Sequence, residues 1–217
     1  MGAANDYPCI LLEGCPLLPF QLLPLHLFEP RYRRMVEEAL AGGRRFAVAE
    51  ARAGAQGGEE AGPWATLGRI LSHQPLPDGR HLVLVEGEVR LRVEGLARRR
   101  PYPALRAVEV PDGEAGPDAH VSVARAAALV ERLLRSSPAE EEAGALLPRL
   151  QQLAATHPGR FADAAAGHLV ADPDLRRRLL SMADPDARLM LVRELLGRIE
   201  TERRLGPTDP GFDPRVN

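Results

Sequence analysis

The chain has 217 residues, 45% hydrophobic and 27% charged, with a formal net charge of −2. These are globular values with room for a proper core, in one large or two small domains, and they offer no general attraction to nucleic acid or anionic lipid. All 28 basic residues are arginine, which excludes a GxxxxGK[ST] phosphate loop and any Ser-Lys or Schiff-base mechanism, because arginine cannot shed its proton near neutrality.

The N-terminal segment carries Cys9 and Cys15 with five residues between them. That spacing fits neither a CxxC redox pair nor a zinc site, so two reduced thiols are expected. No Arg or Lys precedes Arg31, so the charged start of a secretory signal is missing, and Asp6 stands where a myristoylation motif needs Ser or Thr. No apolar run approaches the roughly 20 residues that span a bilayer. A soluble, cytoplasmic protein is expected.

"PLLPFQLLPL" (16–25) reads as an edge or barrel-rim strand punctuated by proline. Across Glu29-Pro30 the period becomes helical: Tyr32, Met35, Val36, Ala39 and Leu40 form an apolar stripe, and Arg33/Glu37 and Arg34/Glu38 make i,i+4 pairs on the other face. Pro30 suits the first turn, and Gly42-Gly43 can supply the left-handed ending. "RRFAVAEA" (44–51) is a short buried strand, and the Gly-rich "RAGAQGGEEAGP" (52–63) reads as a flexible loop.

Over 64–97 the strand signal is clearest. Val89, Leu91 and Val93 alternate with Glu88, Arg90, Arg92 and Glu94, a half-buried strand with one wet face. Pro77-Asp78-Gly79 marks a hairpin turn, and Gly68, Gly87 and Gly95 mark bulges or sharp bends. "ALRAVEV" (104–110) closes the β half before the linker "PDGEAGPD" (111–118).

From there the period is helical. Val123, Ala126, Ala127, Val130, Leu133 and Leu134 line a first helix; Ser137, Pro138 and Glu140 form a capping box; Pro148 is expected to kink or break the helical run around it. "ADPD" occurs at 171–174 and 183–186, each copy an Asp N-cap followed by Pro at the first helical position. Leu189, Val192, Leu195, Leu196 and Ile199 line the last helix, which ends at Gly206-Pro207 ahead of a loose tail.

The ordered segments "LLPLHLFEPRYRRMVEEAL", "FAVAEAR", "LGRILSHQPLPDGR" and "LVLVEGEVRLRV", followed by "FADAAAGHLVADPDLRRRLLSMADPDARLMLVRELLGRIE", resemble the N-terminal, substrate-binding domain of Lon proteases and its stand-alone bacterial relatives. The resemblance runs from about Pro16 to about Leu205. It implies an α+β fold, a PUA-like β pseudobarrel with one interrupting helix over 1–115, a helical bundle over 116–206 and a tail over 207–217. It further implies a non-catalytic protein that recognises unfolded or hydrophobic polypeptide, or a protease or chaperone partner, without the ATPase and peptidase modules of Lon and without metal or cofactor.

Within the barrel and corner, Leu25, Phe28, Tyr32, Phe46 and Trp64 are the candidates for gripping polypeptide, although each can equally serve the core. Glu29, Pro30 and Arg31 are expected to fix the corner, through a helix N-terminus contact or an ion pair. The alternative, RNA binding, rests on Arg98, Arg99, Arg100 and Tyr102 as a phosphate clamp and stacking platform, weighed against a solvated loop. For a hydrolase there is neither a GxSxG elbow nor an HExxH helix, and the six histidines are scattered.

Overall fold

The computed structural model describes residues 2–54, 59–117, 119–137 and 140–205. They form strands β1 (Asn5–Leu12), β2 (Leu22–Leu27), β3 (Arg45–Ala53), β4 (Glu59–Pro75), β5 (His81–Arg98) and β6 (Ala104–Val110), with helix α1 (Pro30–Ala41) between β2 and β3. Helices α2 (Ala119–Arg135), α3 (Glu140–Thr156), α4 (Pro158–Leu169), α5 (Pro173–Leu180) and α6 (Pro185–Leu205) complete the chain order. This is the expected α+β arrangement, with the barrel ahead of the helices.

The sheet runs β2-β5-β4-β3-β1-β6, and a second pairing of β5 with β6 closes β5, β4, β3, β1 and β6 into a ring. β5 achieves this by serving two partners: His81–Glu86 pair with β2, and Arg90–Arg98 pair with β6. The bends fall at the glycines read from the sequence. The β4–β5 register slips between Leu67 and Gly68, and the β5–β6 register slips between Val93 and Gly95, where Gly95 takes φ 156°. A ring so narrow leaves little interior, and it is filled by small groups such as Ala47, Ala49, Ala65 and Ala107 around Leu67, Leu91 and Leu105. Cys9 lies in the same core, and burial pushes its thiol pKa up to about 12.

Helix α1 covers the β2 end of the sheet, burying Tyr32, Met35, Val36 and Ala39 against Leu27, Val83 and Val85. Its left-handed ending falls at Arg44, φ 57°, whose N–H bonds Ala39 O at 2.8 Å, rather than at Gly42 or Gly43; Gly42 has φ −112°. The hairpin at Pro77-Asp78-Gly79 has Gly79 at φ 79°.

One strand went unread and several expectations need correction. β1 was not legible: "NDYPCILL" is poor in β-formers, and it becomes a strand because β3 pairs it in parallel and β6 antiparallel. Within 16–25 only Leu22 onward is strand. The Gly-rich segment after Arg52 is mostly ladder, with Arg52 opposite Glu60 and Ala53 opposite Glu59; positions 55–58 lie outside the described residues. Pro148 does not end a helix, because α3 runs through it, and the carbonyl it leaves unpaired, on Gly144, is on an exposed stretch.

The helices build a separate core around Phe161, Leu133, Leu189 and Val192, and a barrel residue, Leu18, belongs to it. Both "ADPD" copies cap helices: Asp172 accepts from the N–H groups of Asp174 and Leu175, and Asp184 from those of Asp186 and Ala187. The capping box around Pro138 and the tail from Gly206 lie outside the described residues. The wet face of β5 is also corrected. Arg90 is 1% exposed, roofed by the helices and held by Asp163 of α4 at 2.5 Å and Asp112 at 2.9 Å, while Arg188 of α6 reaches the same two carboxylates at 3.2 and 2.7 Å. A second layer therefore covers a face that reads as solvated, and paired charges make that possible.

Candidate functional site: an apolar trough across the outer face of the β2 end of the sheet

Pro19 and Phe20 make the turn that launches β2. Gln21 N–H bonds Leu18 O at 3.3 Å, and Phe20 holds φ 61° at the position where glycine is usual, a type II arrangement with proline leading. Gly87 O then accepts from Phe20 N–H at 2.8 Å, and Gly87 N–H donates to Gln21 O at 3.0 Å, a one-residue bulge. From Gln21 onward the antiparallel alternation points the backbone groups of Leu23, Leu25 and Leu27 toward β5 and those of Leu22, Pro24 and His26 away from it. Pro24, with no N–H to give, sits where none is needed. Among the described residues no strand pairs with that outer edge of β2.

Side chains alternate likewise. Leu23, Leu25 and Leu27 pack inward under α1, while Pro24 and His26 point out beside Leu84 and Leu82 of β5 and Ser72 and Gln74 of β4. This outer face is a shallow depression of about 560 Å³, in which Leu82 is 39% exposed. Phe28, 62% exposed, stands at its end, edge-on to His26 with ring centroids 6.3 Å apart. Pro24 also lines a second depression of about 460 Å³ that lies toward the helices and is walled by Leu22, Leu134, Leu146 and Leu169. The two depressions share Pro24 as a wall at the free edge of β2, and together they are the trough.

The polar groups differ along its length. At the helical end stand Arg149, Arg203 and His168; burial, with Arg149 and Arg176 nearby, lowers the His168 pKa to about 4, so the imidazole is neutral at physiological pH. Toward the hairpin, His73 Nε2 and His81 Nδ1 lie 2.7 Å apart and Glu37 Oε1 is 3.6 Å from His81 Nε2, tying the hairpin to α1. Among the described residues no group of three or more His, Cys, Asp or Glu is placed to hold a metal ion. No helix among them is long and apolar enough to cross a membrane.

The residues singled out from sequence separate into trough and core. Phe28 lies at the trough's end, and Leu25 is half-buried on β2 beneath it. Tyr32 and Phe46, 3% and 0% exposed, are core, and the Tyr32 hydroxyl bonds the Leu11 N–H at 3.2 Å. Trp64 is half-buried against the helical core, at the opposite end of β4 from Ser72 and Gln74. Pro30 opens α1, and Arg31 pairs with Glu29 and with Glu59, both at 2.7 Å. Of the basic cluster, Tyr102 is buried with its hydroxyl on Glu38, Arg98 stacks on the Tyr102 ring at 4.6 Å, and Arg99 donates to Glu59 O; Arg100 is exposed. A nucleobase therefore finds no free ring there.

Leu82, Arg149, His168 and Arg203 were missed. The one available signal was "HLVLV" (81–85), apolar on both faces where a half-buried strand alternates. The arginines and His168 reach the trough from the helices, by packing alone.

Comparison with known proteins agrees with this architecture. The family model described as the ATP-dependent protease La (LON) substrate-binding domain matches residues 6–198. The Lon protease of Methylocella silvestris is 30% identical over 206 residues, 88% of this chain, and that of Syntrophomonas wolfei 25% identical over 212. The chain spans about a quarter of the length of these relatives, 24% and 25%. Among solved structures, the N-terminal domain of Mycobacterium avium complex Lon protease superposes with a TM-score of 0.68 at 20% identity, covering 89% of this chain and 98% of that one. The Lon N-terminal domain protein from Xanthomonas campestris gives 0.61 at 21% identity. A closed barrel with a strand appended to its longest member, one inserted helix and a helical layer after it, matched almost end to end by one family model, place this chain in the Lon substrate-binding domain family.

Proposed function

We propose that this chain recognises polypeptide, holding unfolded or apolar segments without acting on them, and presents them to a protease or chaperone partner. The observation that carries the reading is the trough: an uncovered apolar sheet face beside a strand edge with unpaired backbone groups. An unfolded chain offers both complements, apolar side chains for Leu82, Leu84 and Phe28 and backbone hydrogen bonds for Leu22 and His26. Membership of a substrate-binding family supports it. RNA binding has no comparable support, since Tyr102 is buried, Arg98 stacks on its ring and Arg99 donates to Glu59 O.

The test is fluorescence anisotropy of a reduced, alkylated and hence permanently unfolded protein titrated with the intact chain. Leu82→Asp, on an exposed side chain, is expected to weaken binding about tenfold with unfolding temperature unchanged. Affinity is expected to vary by less than about twofold between low and moderate salt, where binding to RNA phosphates falls by orders of magnitude. Unchanged binding by Leu82→Asp, or a steep loss with salt, would sink the reading.

A further inference from the structure

The helical end of the trough is apolar in its walls but cationic in its charged groups. Among the described residues Arg149 and Arg203 are the charged groups lining it, and no described carboxylate lines it with them. Arg149 makes its bonds through Nη2 alone, to Phe20 O at 3.0 Å and to Glu86, so its Nε and Nη1 groups have no partner among the described residues. Arg203 gives Nη1 to Leu133 O at 3.0 Å. Glu86, the acid that Arg149 bonds, is shared with Arg69 at 3.3 Å. His168 contributes a buried ring nitrogen, Nε2, that no group among the described residues bonds.

We propose that this groove selects extended apolar polypeptide segments that carry an acidic side chain, the carboxylate pairing with Arg149 and Arg203 while the flanking backbone lies along the free edge of β2 at Leu22. The proposal rests on the reading of the trough as a polypeptide site and adds its substrate class. Charge complementarity carries it: two guanidinium groups with donors still open to solvent border an apolar cleft, and a carboxylate is the anion that polypeptide supplies. The unpartnered His168 nitrogen is an added hydrogen-bonding group for a peptide unit beside that carboxylate. A lysine at the same point would meet like charge.

Three acetylated, amidated apolar peptides of about eight residues, differing only in a central Glu, Gln or Lys, provide the test by fluorescence anisotropy with the intact chain. The Glu peptide is expected to bind about tenfold more tightly than the Gln peptide, with Lys weakest. Arg203→Gln, at an exposed helix end, and Arg149→Gln are each expected to narrow the Glu-to-Gln ratio to about twofold or threefold. Equal binding of Glu and Gln peptides overturns the selectivity and leaves the trough a polypeptide site. Selectivity that survives both substitutions overturns it too, by placing the carboxylate elsewhere. If a Gln peptide with a free C-terminus binds better than the amidated Glu peptide, the groove reads chain ends and the side-chain assignment fails. Binding of none of the peptides removes the polypeptide reading along with the proposal.

Discussion

Phe20 holds a left-handed backbone, φ 61°, that disfavours a non-glycine residue by about 1 kcal/mol. Its surroundings offset that strain: the ring packs on the helical core, the Arg160 guanidinium lies 4.9 Å above it, and the carbonyl accepts from Arg149. His168, nearby, stores energy differently. Burial depresses its pKa from 6.5 to about 4, so the unfolded chain binds more protons than the folded one between those values. Stability from this group is complete above about 6.5 and is lost as pH falls toward about 4, roughly 3 kcal/mol in all. Comparing denaturation of the chain with that of His168→Gln across this window isolates the effect from the carboxylates; the variant is expected to lose stability less steeply on acidification. A histidine near a helix end is visible in the sequence, but its desolvation is not, because Arg149, Arg176 and the β2 turn come from distant segments.

β5 shows how one element is asked to do two things. Its 18 residues pair with β2 early and β6 late, and the change of partner passes through Gly87. A Cβ there would sit 2.4 Å from the Leu18 carbonyl oxygen, a backbone atom that cannot swing aside. Gly87→Ala is expected to destabilise the fold by about 2–4 kcal/mol, read as a lower denaturation midpoint at unchanged slope. Elements with a local signature were legible: α1 from its stripe and Pro30, the hairpin from Pro77-Asp78-Gly79, and α5 and α6 from their Asp-Pro starts. β1 had no such signature, since its pairing with β3 joins segments more than thirty residues apart.

Across the whole molecule, the barrel and the helices are fastened by charge. Arg90 and Arg188, 1% and 0% exposed, share Asp163 and Asp112, and Arg177 of α5 places Nε 2.8 Å from both oxygens of Glu50 on β3. The shared Leu18 adds an apolar seam. Asp163→Asn would leave two buried guanidinium groups short of a counter-charge, with an expected loss of about 3–5 kcal/mol. In the unaltered chain, tryptophan fluorescence and far-ultraviolet circular dichroism should report one coincident unfolding transition. In Asp163→Asn they should separate, because Trp64 reports the seam. A division near residue 115 is thus proposed as a boundary in the chain rather than in stability.

By itself the sequence determined the order of strands, corner helix and helical layer, because hydrophobic period, proline, glycine and Asp caps act over a few residues and need no partner to be read. It also closed lysine-dependent chemistry, which depends on composition alone. Only the tertiary structure decided that Tyr32, Phe46 and Tyr102 are core, that Arg90 is buried, and that Phe28 and Leu82 flank His26 and Pro24 on an open face with Arg149 and Arg203 beyond Pro24. Exposure and charge pairing are relations between segments far apart along the chain, fixed when β5 closes the ring and the helices cover one side of it.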